Sequence, residues 1–312
     1  MPDSDPAATV FGCGGGTLAV TNRQLTARAV ETKGFAMVRS TARSRGPREP
    51  LAAKVPEITL LFWVIKVLTT GMGEAMSDFL GQKSVPIAGL IGVVGIWYAL
   101  RLQLRATEYR APVYWFAVMM VAVFGTMAAD GVKDGAGLSY AVTTPFFAAV
   151  VAVIFWRWHR SEGTLSIHSI TTRRRETYYW CAVLATFALG TAAGDMTAMT
   201  LNLGFFGSAV LFGALIAIPA LAWWRGRLNP IVAFWAAYVI TRPLGASFAD
   251  WFGKPHPQTG LGLGDGTVSA IALVAFIALV AYAAVTKRDI QDRRPAPHMG
   301  RKLGVEAQPA ES

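Results

Sequence analysis

The sequence predicts an all-α integral membrane protein of eight transmembrane helices, built as four parallel tandem two-helix repeats. Composition, a recurring residue frame and the placement of basic residues predict it. Of the 312 residues, 53% are hydrophobic and 15% charged, with mean hydropathy +0.40, too apolar for an ordinary soluble domain. Runs without any charge at 138–156, 203–224 and 266–286 reach the roughly 20 apolar residues that a bilayer core demands. A soluble bundle would not confine its basic residues to particular loops, as this chain does.

The frame is W-x9-G-x4-D. It occurs as Trp63, Gly73 and Asp78, then Trp115, Gly125 and Asp130, then Trp180, Gly190 and Asp195, and finally Trp235, Gly245 and Asp250. Before each Asp stands a small residue: Ser77, Ala129, Gly194 or Ala249. Self-similarity at a fixed spacing marks a repeat architecture.

Taken in order, residues 1–53 read as a disordered basic leader. Small and basic residues dominate there, and hydrophobic periodicity is absent. No apolar stretch precedes Cys13 as a secretory signal would require, and Met37 is an alternative first residue. The membrane domain spans 54–288, with repeats at 54–110, 111–175, 176–228 and 229–288. Its hydrophobic spans are expected near 56–79, 85–100, 112–132, a fourth ending near Trp158, then 178–198, 203–224, 230–252 and 267–285. Pro56 suits a first helical turn, residues 81–86 read as a turn, and Pro243 with Gly245 predicts a kink or break in the seventh span. Residues 289–312 read as a disordered tail.

Orientation follows from the basic residues. Arg101, Arg105 and Arg110, then Arg157, Arg160 and Arg173 to Arg175, then Arg225 and Arg227 follow the even spans, whereas the opposite loops carry only Lys83, Lys133 and Lys254. The positive-inside rule then places both termini in the cytoplasm and gives all repeats one orientation. Trp97, Tyr98, Trp156, Trp158, Trp223 and Trp224 close the even spans on the basic side, as an interfacial aromatic belt does. This distribution accounts for the net charge of +10 without nucleic acid. Cys13 and Cys181 have no partner at metal-ligand spacing, and the four histidines form no cluster.

Carried on Trp63, Trp115, Trp180 and Trp235 with their Gly and Asp partners, the chain resembles a family of uncharacterised bacterial membrane-anchored proteins. That family is a domain of unknown function with four tandem repeats, each of two membrane stretches and one characteristic tryptophan. The resemblance covers about 54–288. It implies the repeat architecture and a bacterial inner-membrane location, and it carries no activity.

Helical geometry divides the frame into faces. The Asp lies within about 60° of its Trp, and the positions seven and eleven after the Trp share that stripe. They are Thr70 and Glu74, Ala122 and Thr126, Phe187 and Thr191, and Arg242 and Ala246. No even span carries a charge in its apolar run. Because intramembrane charges avoid lipid, the odd helices are expected at the centre and the even ones at the periphery. Gly73, Gly125, Gly190 and Gly245 fall on another face. With the small residue four positions on, each is expected to form a helix-packing seam.

The functional expectation is a transporter or exporter of a small cation, either proton-coupled or moving a divalent metal such as manganese. Asp78, Asp130, Asp195, Asp250 and Glu74 would bind it, with Arg242 as counter-charge. Lys66, near the basic end of its span, is expected to snorkel; the alternative is that it neutralises the carboxylates until a cation or proton displaces it. Met72, Met76, Met127, Met196 and Met199 crowd the frame as core fillers or thioether ligands, and the metal is left unspecified. Expected partners are the lipid bilayer and a small cation, with no cofactor. A membrane enzyme is disfavoured, because no Ser/His pair, HExxH or intramembrane His is present. The alternative is a structural or partner-binding membrane protein whose Trp, Gly and Asp residues serve helix packing.

Overall fold

The computed structural model describes residues 53–291. The leader before them, with Cys13 and Met37, and the tail after Gln291 lie outside the described residues. Among the described residues there are eight long helices: α1 (Leu60–Lys83), α2 (Val85–Arg105), α3 (Ala111–Gly135), α4 (Tyr140–Glu162), α5 (Arg173–Asp195), α6 (Gly204–Trp224), α7 (Pro230–Gly253) and α8 (Asp265–Thr286). The last seven are long and apolar enough to cross a membrane. The first has the length, 24 residues, but carries Lys66, Glu74, Asp78 and Lys83. The protein is an all-α, multi-pass membrane protein.

Helix ends follow local chemistry and correct several expected boundaries. Thr59 caps α1 by accepting from the Phe62 amide at 3.2 Å, so Pro56 precedes the helix rather than opening it. No turn spans 81–86. Ser84 alone separates α1 from α2, whose Pro86 sits in the first turn, where proline's missing amide costs nothing. Helix α7 runs unbroken through Pro243. The irregularity lies elsewhere, in a π-type turn at Met196–Thr200 that follows Asp195.

The odd helices form a closed ring in the order α1, α3, α5, α7 and back to α1, and each even helix lies outside it. Over half of the apolar stretch of α3, α5 and α7 is buried, against about a quarter in each even helix. The even helix packs mainly on the next repeat's odd helix: α2 on α3, α4 on α5, α6 on α7, and α8 on α1. Every repeat therefore clasps its successor, and the last clasps the first.

Two frame residues make those contacts. The aromatic just before each Trp meets the Trp of the next repeat: Phe62 lies 5.7 Å from Trp115, Tyr114 5.7 Å from Trp180, Tyr179 6.1 Å from Trp235, and Phe234 5.9 Å from Trp63. The frame glycine meets the residue seven after that Trp. Gly73 faces Ala122, Gly125 faces Phe187, Gly190 faces Arg242, and Gly245 faces Thr70. A Cβ at Gly125 would stand 2.6 Å from that of Phe187, and one at Gly73 3.0 Å from the Ala122 backbone carbon. Close backbone approach of this kind is what small residues permit between membrane helices.

At the basic end, residues 54–57 cross the ring as a strap. The Lys54 ammonium donates to Glu176 at 2.8 Å, Gln103 donates to the same carboxylate at 3.1 Å, and the Glu57 amide donates to the Asp289 carbonyl at 2.8 Å. Gln291 donates to the carbonyls of Val55 and Pro56, and Tyr109 donates to Asp289. Burial, reinforced by the hydrogen bond to Asp289, pushes the Tyr109 phenol above its ordinary value. It therefore stays a donor throughout the neutral range.

Candidate functional site

The ring interior is a stack of layers, each taking one residue from every odd helix at four-residue steps. From the basic end they are Phe62, Tyr114, Tyr179 and Phe234; then Lys66, Val118, Val183 and Tyr238; then Thr70, Ala122, Phe187 and Arg242. Glu74, Thr126, Thr191 and Ala246 follow. All sixteen side chains are buried. The four frame aspartates form the last layer. A four-residue step returns to nearly the same face of a helix, which is why one stripe supplies every layer.

Hydrogen bonds hold the stack. Tyr114 and Tyr179 share a hydroxyl contact of 2.5 Å in the aromatic layer. The Lys66 ammonium lies 4.2 Å from the ring centres of both Phe187 and Tyr238 and has no hydrogen-bond partner among the described residues. It does not snorkel. Its helix places it on the ring axis, and the aromatic faces offer their negative quadrupole in place of water.

Arg242 is fully buried. Its Nη2 donates to Glu74 at 2.7 Å, to Thr191 at 2.9 Å and to Thr126, while Nη1 donates to the Thr70 carbonyl at 3.2 Å. One guanidinium thus ties all four odd helices together. Thr126 and Thr191 also donate to the Glu74 carboxylate, at 3.0 and 3.2 Å. An isolated charge at membrane depth costs several kcal/mol. Here the two charges pair and the threonine hydroxyls complete the network, while the Arg242 Nε has no hydrogen-bond partner among the described residues.

Beyond this plug the ring opens into a cavity of about 700 Å³ at the end away from the basic loops. Asp78, Asp130, Asp195 and Asp250 all line it, together with Glu74 and Asp134, and Met127 and Met199 stand on its wall. Of the expected methionines, Met72 instead lies in the apolar core. Six carboxylates face one lysine, Lys254. Helices α1, α3, α5 and α7 end at this cavity, and the negative ends of their dipoles add to the acidic field. Carboxylate oxygens of Glu74, Asp78 and Asp250 lie within 4.8 Å of one another, close enough to share a cation. One oxygen of Asp250, a residue only 3% exposed, has no hydrogen-bond partner among the described residues and only the Lys254 ammonium near it, at 3.9 Å.

Lys254, the residue just after α7, is the part that sequence reasoning missed. Its ammonium bonds Asp78 and approaches Asp265 at 3.4 Å and Asp250 at 3.9 Å. Gln82 donates to Asp265 at 2.5 Å. Burial lowers the lysine's pKa, but the carboxylates of Asp78 and Asp250 outweigh it and leave it above the usual lysine range. The one signal in the sequence is the i,i+4 pairing of Asp250 with Lys254. The contact to Asp78, 176 positions away, has none.

The repeat pattern also matches a known family at residues 113–164, 178–228 and 233–289, described as a Repeat of Unknown Function. The chain belongs to this DUF347 family. The matches cover the second, third and fourth repeats. The first keeps the frame and the ring contacts but lies outside the DUF347 match, and it carries Lys66 and Glu74, which have no counterpart at the same positions in the others. No curated protein and no solved structure gives a match.

Proposed function

We propose that this protein moves a small cation across a bacterial inner membrane, with both termini in the cytoplasm and the acidic cavity facing outward. The observation carrying this reading is the convergence of six carboxylates from all four repeats on one cavity, with Lys254 as its single basic group. A ring held only by packing has no need of such a cluster, because the Trp and Gly contacts already join its helices. Ionisable groups inside a membrane domain are costly, and they mark ion pathways by default. Carboxylate ligands suit protons or hard divalent ions such as manganese.

In this reading the cation enters the cavity and exchanges with Lys254 on Asp78 and Asp250. Arg242 neutralises Glu74 beneath it, and the Lys66 and tyrosine layers close the path toward the basic side. Release there requires the layers to part. Binding by Asp130 and Asp195 orders the ion's approach across the ring, and Glu74 exchanges Arg242 for the ion or a proton.

The test is uptake or efflux by full-length protein in proteoliposomes, with protons and manganese as probes, beside growth of expressing cells across metals and pH values. Asp130→Asn and Asp195→Asn are expected to abolish flux while leaving the protein folded. Wild-type flux in all four Asp→Asn variants would sink the reading. The alternative, a structural or partner-binding protein, draws on Lys254, which already neutralises part of the cluster as a structural ion pair would. It expects Asp→Asn changes to lower melting temperature without touching any flux.

A further inference from the structure

A second polar site lies at the opposite end of the molecule, outside the ring. Where α4 ends and α5 begins, a pocket of about 300 Å³ is lined by Trp156, Arg157, Arg160, Ser161, Arg174 and Tyr178. Both helices contribute arginines, and α4 packs on α5. Three guanidiniums around so small a space repel one another unless an anion sits among them.

Of the three, a local carboxylate answers Arg174 alone. Arg157 and Arg160 are exposed and make no ion pair among the described residues. The neighbouring acid, Glu162, is held by Arg174 at 3.2 Å and by Arg175 at 2.9 Å. Aromatic rings shape the walls: Arg160 lies 5.5 Å over the Trp156 ring, and Tyr178 stacks on the buried Trp158 with planes only 6° apart. Ser161 lines the same pocket, its hydroxyl donating to Glu162 at 3.4 Å, and the amino-terminal end of α5 adds its positive dipole.

What lies along α4 identifies the anion's source. Val142, Phe146, Val153 and Trp156 are each about half exposed or more, and at helical spacing they form one outward stripe. The stripe runs the length of the helix and ends at the arginines. A free phosphate makes no use of an apolar track. A phospholipid does, with acyl chains along the stripe and its phosphate among the guanidiniums, which bind phosphate oxygens in a bidentate manner. Basic pockets between membrane helices at the cytoplasmic face suit anionic headgroups, and this pocket lies at the end where the basic loops gather.

We infer that the α4–α5 corner is a binding site for an anionic phospholipid, with Arg157, Arg160 and Arg174 holding the headgroup phosphate. The inference stands independently of any transported ion. Full-length protein in detergent, given an equal mixture of phosphatidylglycerol and phosphatidylcholine, tests it by native mass spectrometry of the retained lipid. Wild type should retain phosphatidylglycerol selectively. The variant R157A/R160A should lose about thirtyfold in that retention, since each basic group near an anionic surface contributes about fivefold. Both side chains are exposed, so its melting temperature should not change, and an altered melting temperature would be resolved with R157Q/R160Q. The equivalent pair after α6, Arg225 and Arg227, is the control. Equal loss in R225A/R227A would mean only a diffuse interfacial charge and would overturn the site. Absence of lipid selectivity in wild type would overturn it too, as would displacement of the lipid by millimolar inorganic phosphate, which would show a site for a free anion.

Discussion

Arg242 bears more of the ring than any other side chain, because one fully buried guanidinium bonds α1, α3 and α5 from α7. Removing either member of its pair with Glu74 leaves the other charge buried and unmatched, a cost of about 3–5 kcal/mol. Arg242→Met and Glu74→Gln should each lower the melting temperature sharply, measured in detergent by intrinsic fluorescence. The double variant should lie well above the sum of the two losses, since it strands no charge. Additive losses would show that the pair does not couple. Lys254 behaves differently, because it lines the acidic cavity and is partly exposed rather than fully buried. Lys254→Met leaves Asp78, Asp250 and Asp265 without their cation. Millimolar manganese or calcium should then raise the melting temperature of the variant more than that of wild type. An equal response in both would deny that Lys254 and a cation compete for these carboxylates.

At the level of the helix, the frame glycines separate propensity from packing. Glycine inside a helix costs about 1 kcal/mol against alanine, so Gly→Ala stabilises wherever space allows. At Gly81 nothing lies within 4 Å of an added Cβ, whereas at Gly245 the Cβ would stand 2.8 Å from that of Thr70 and 3.0 Å from the Val67 carbonyl. Gly81→Ala should therefore be neutral or mildly stabilising, and Gly245→Ala should destabilise by about 1–3 kcal/mol through overpacking. Thermal melts of the two variants side by side decide it, and like signs would contradict the seam. Much of this level was legible in the sequence. Eight long helices follow from hydropathy, and the inward stripe at steps of four and the separate glycine face follow from one periodicity. What could not be read were contacts set by the ring's closure. Lys66 looked free to snorkel because its span is short of nothing on that side, yet its helix turns it toward Phe187 and Tyr238. Lys254 sat in a loop whose fold-back no periodicity encodes. Pro243 predicted a break that neighbouring helices suppress by packing on both sides of it.

Across the whole molecule, the repeats are joined by a rule that has no beginning. Each Trp and each glycine makes its contact with the adjacent repeat, and α8 on α1 and Gly245 on Thr70 repeat across the closing seam what the earlier repeats do within the chain. The sequence predicted parallel repeats but not this closure, because the frame records spacing along the chain and says nothing of which repeat neighbours the last. A cyclic arrangement has a physical consequence. The order of repeats along the chain should matter less than their order around the ring, provided that the ends can be joined. They can: the Glu57 amide bonds the Asp289 carbonyl at 2.8 Å, and Gln291 bonds the Val55 and Pro56 carbonyls. Circular permutation is tolerated where the new ends fall in exposed loop tips. The connection between α6 and α7 offers one, with Gly226 exposed and at φ 68°. A permutant that joins residue 291 to residue 53 through a short Gly/Ser linker and opens after Gly226 should insert, purify as a single species and melt within a few degrees of the unpermuted 53–291 chain. This construction breaks the order of synthesis but none of the ring contacts. Should it aggregate while the unpermuted chain of the same length remains folded, the closing seam would be a consequence of the other three rather than their equal.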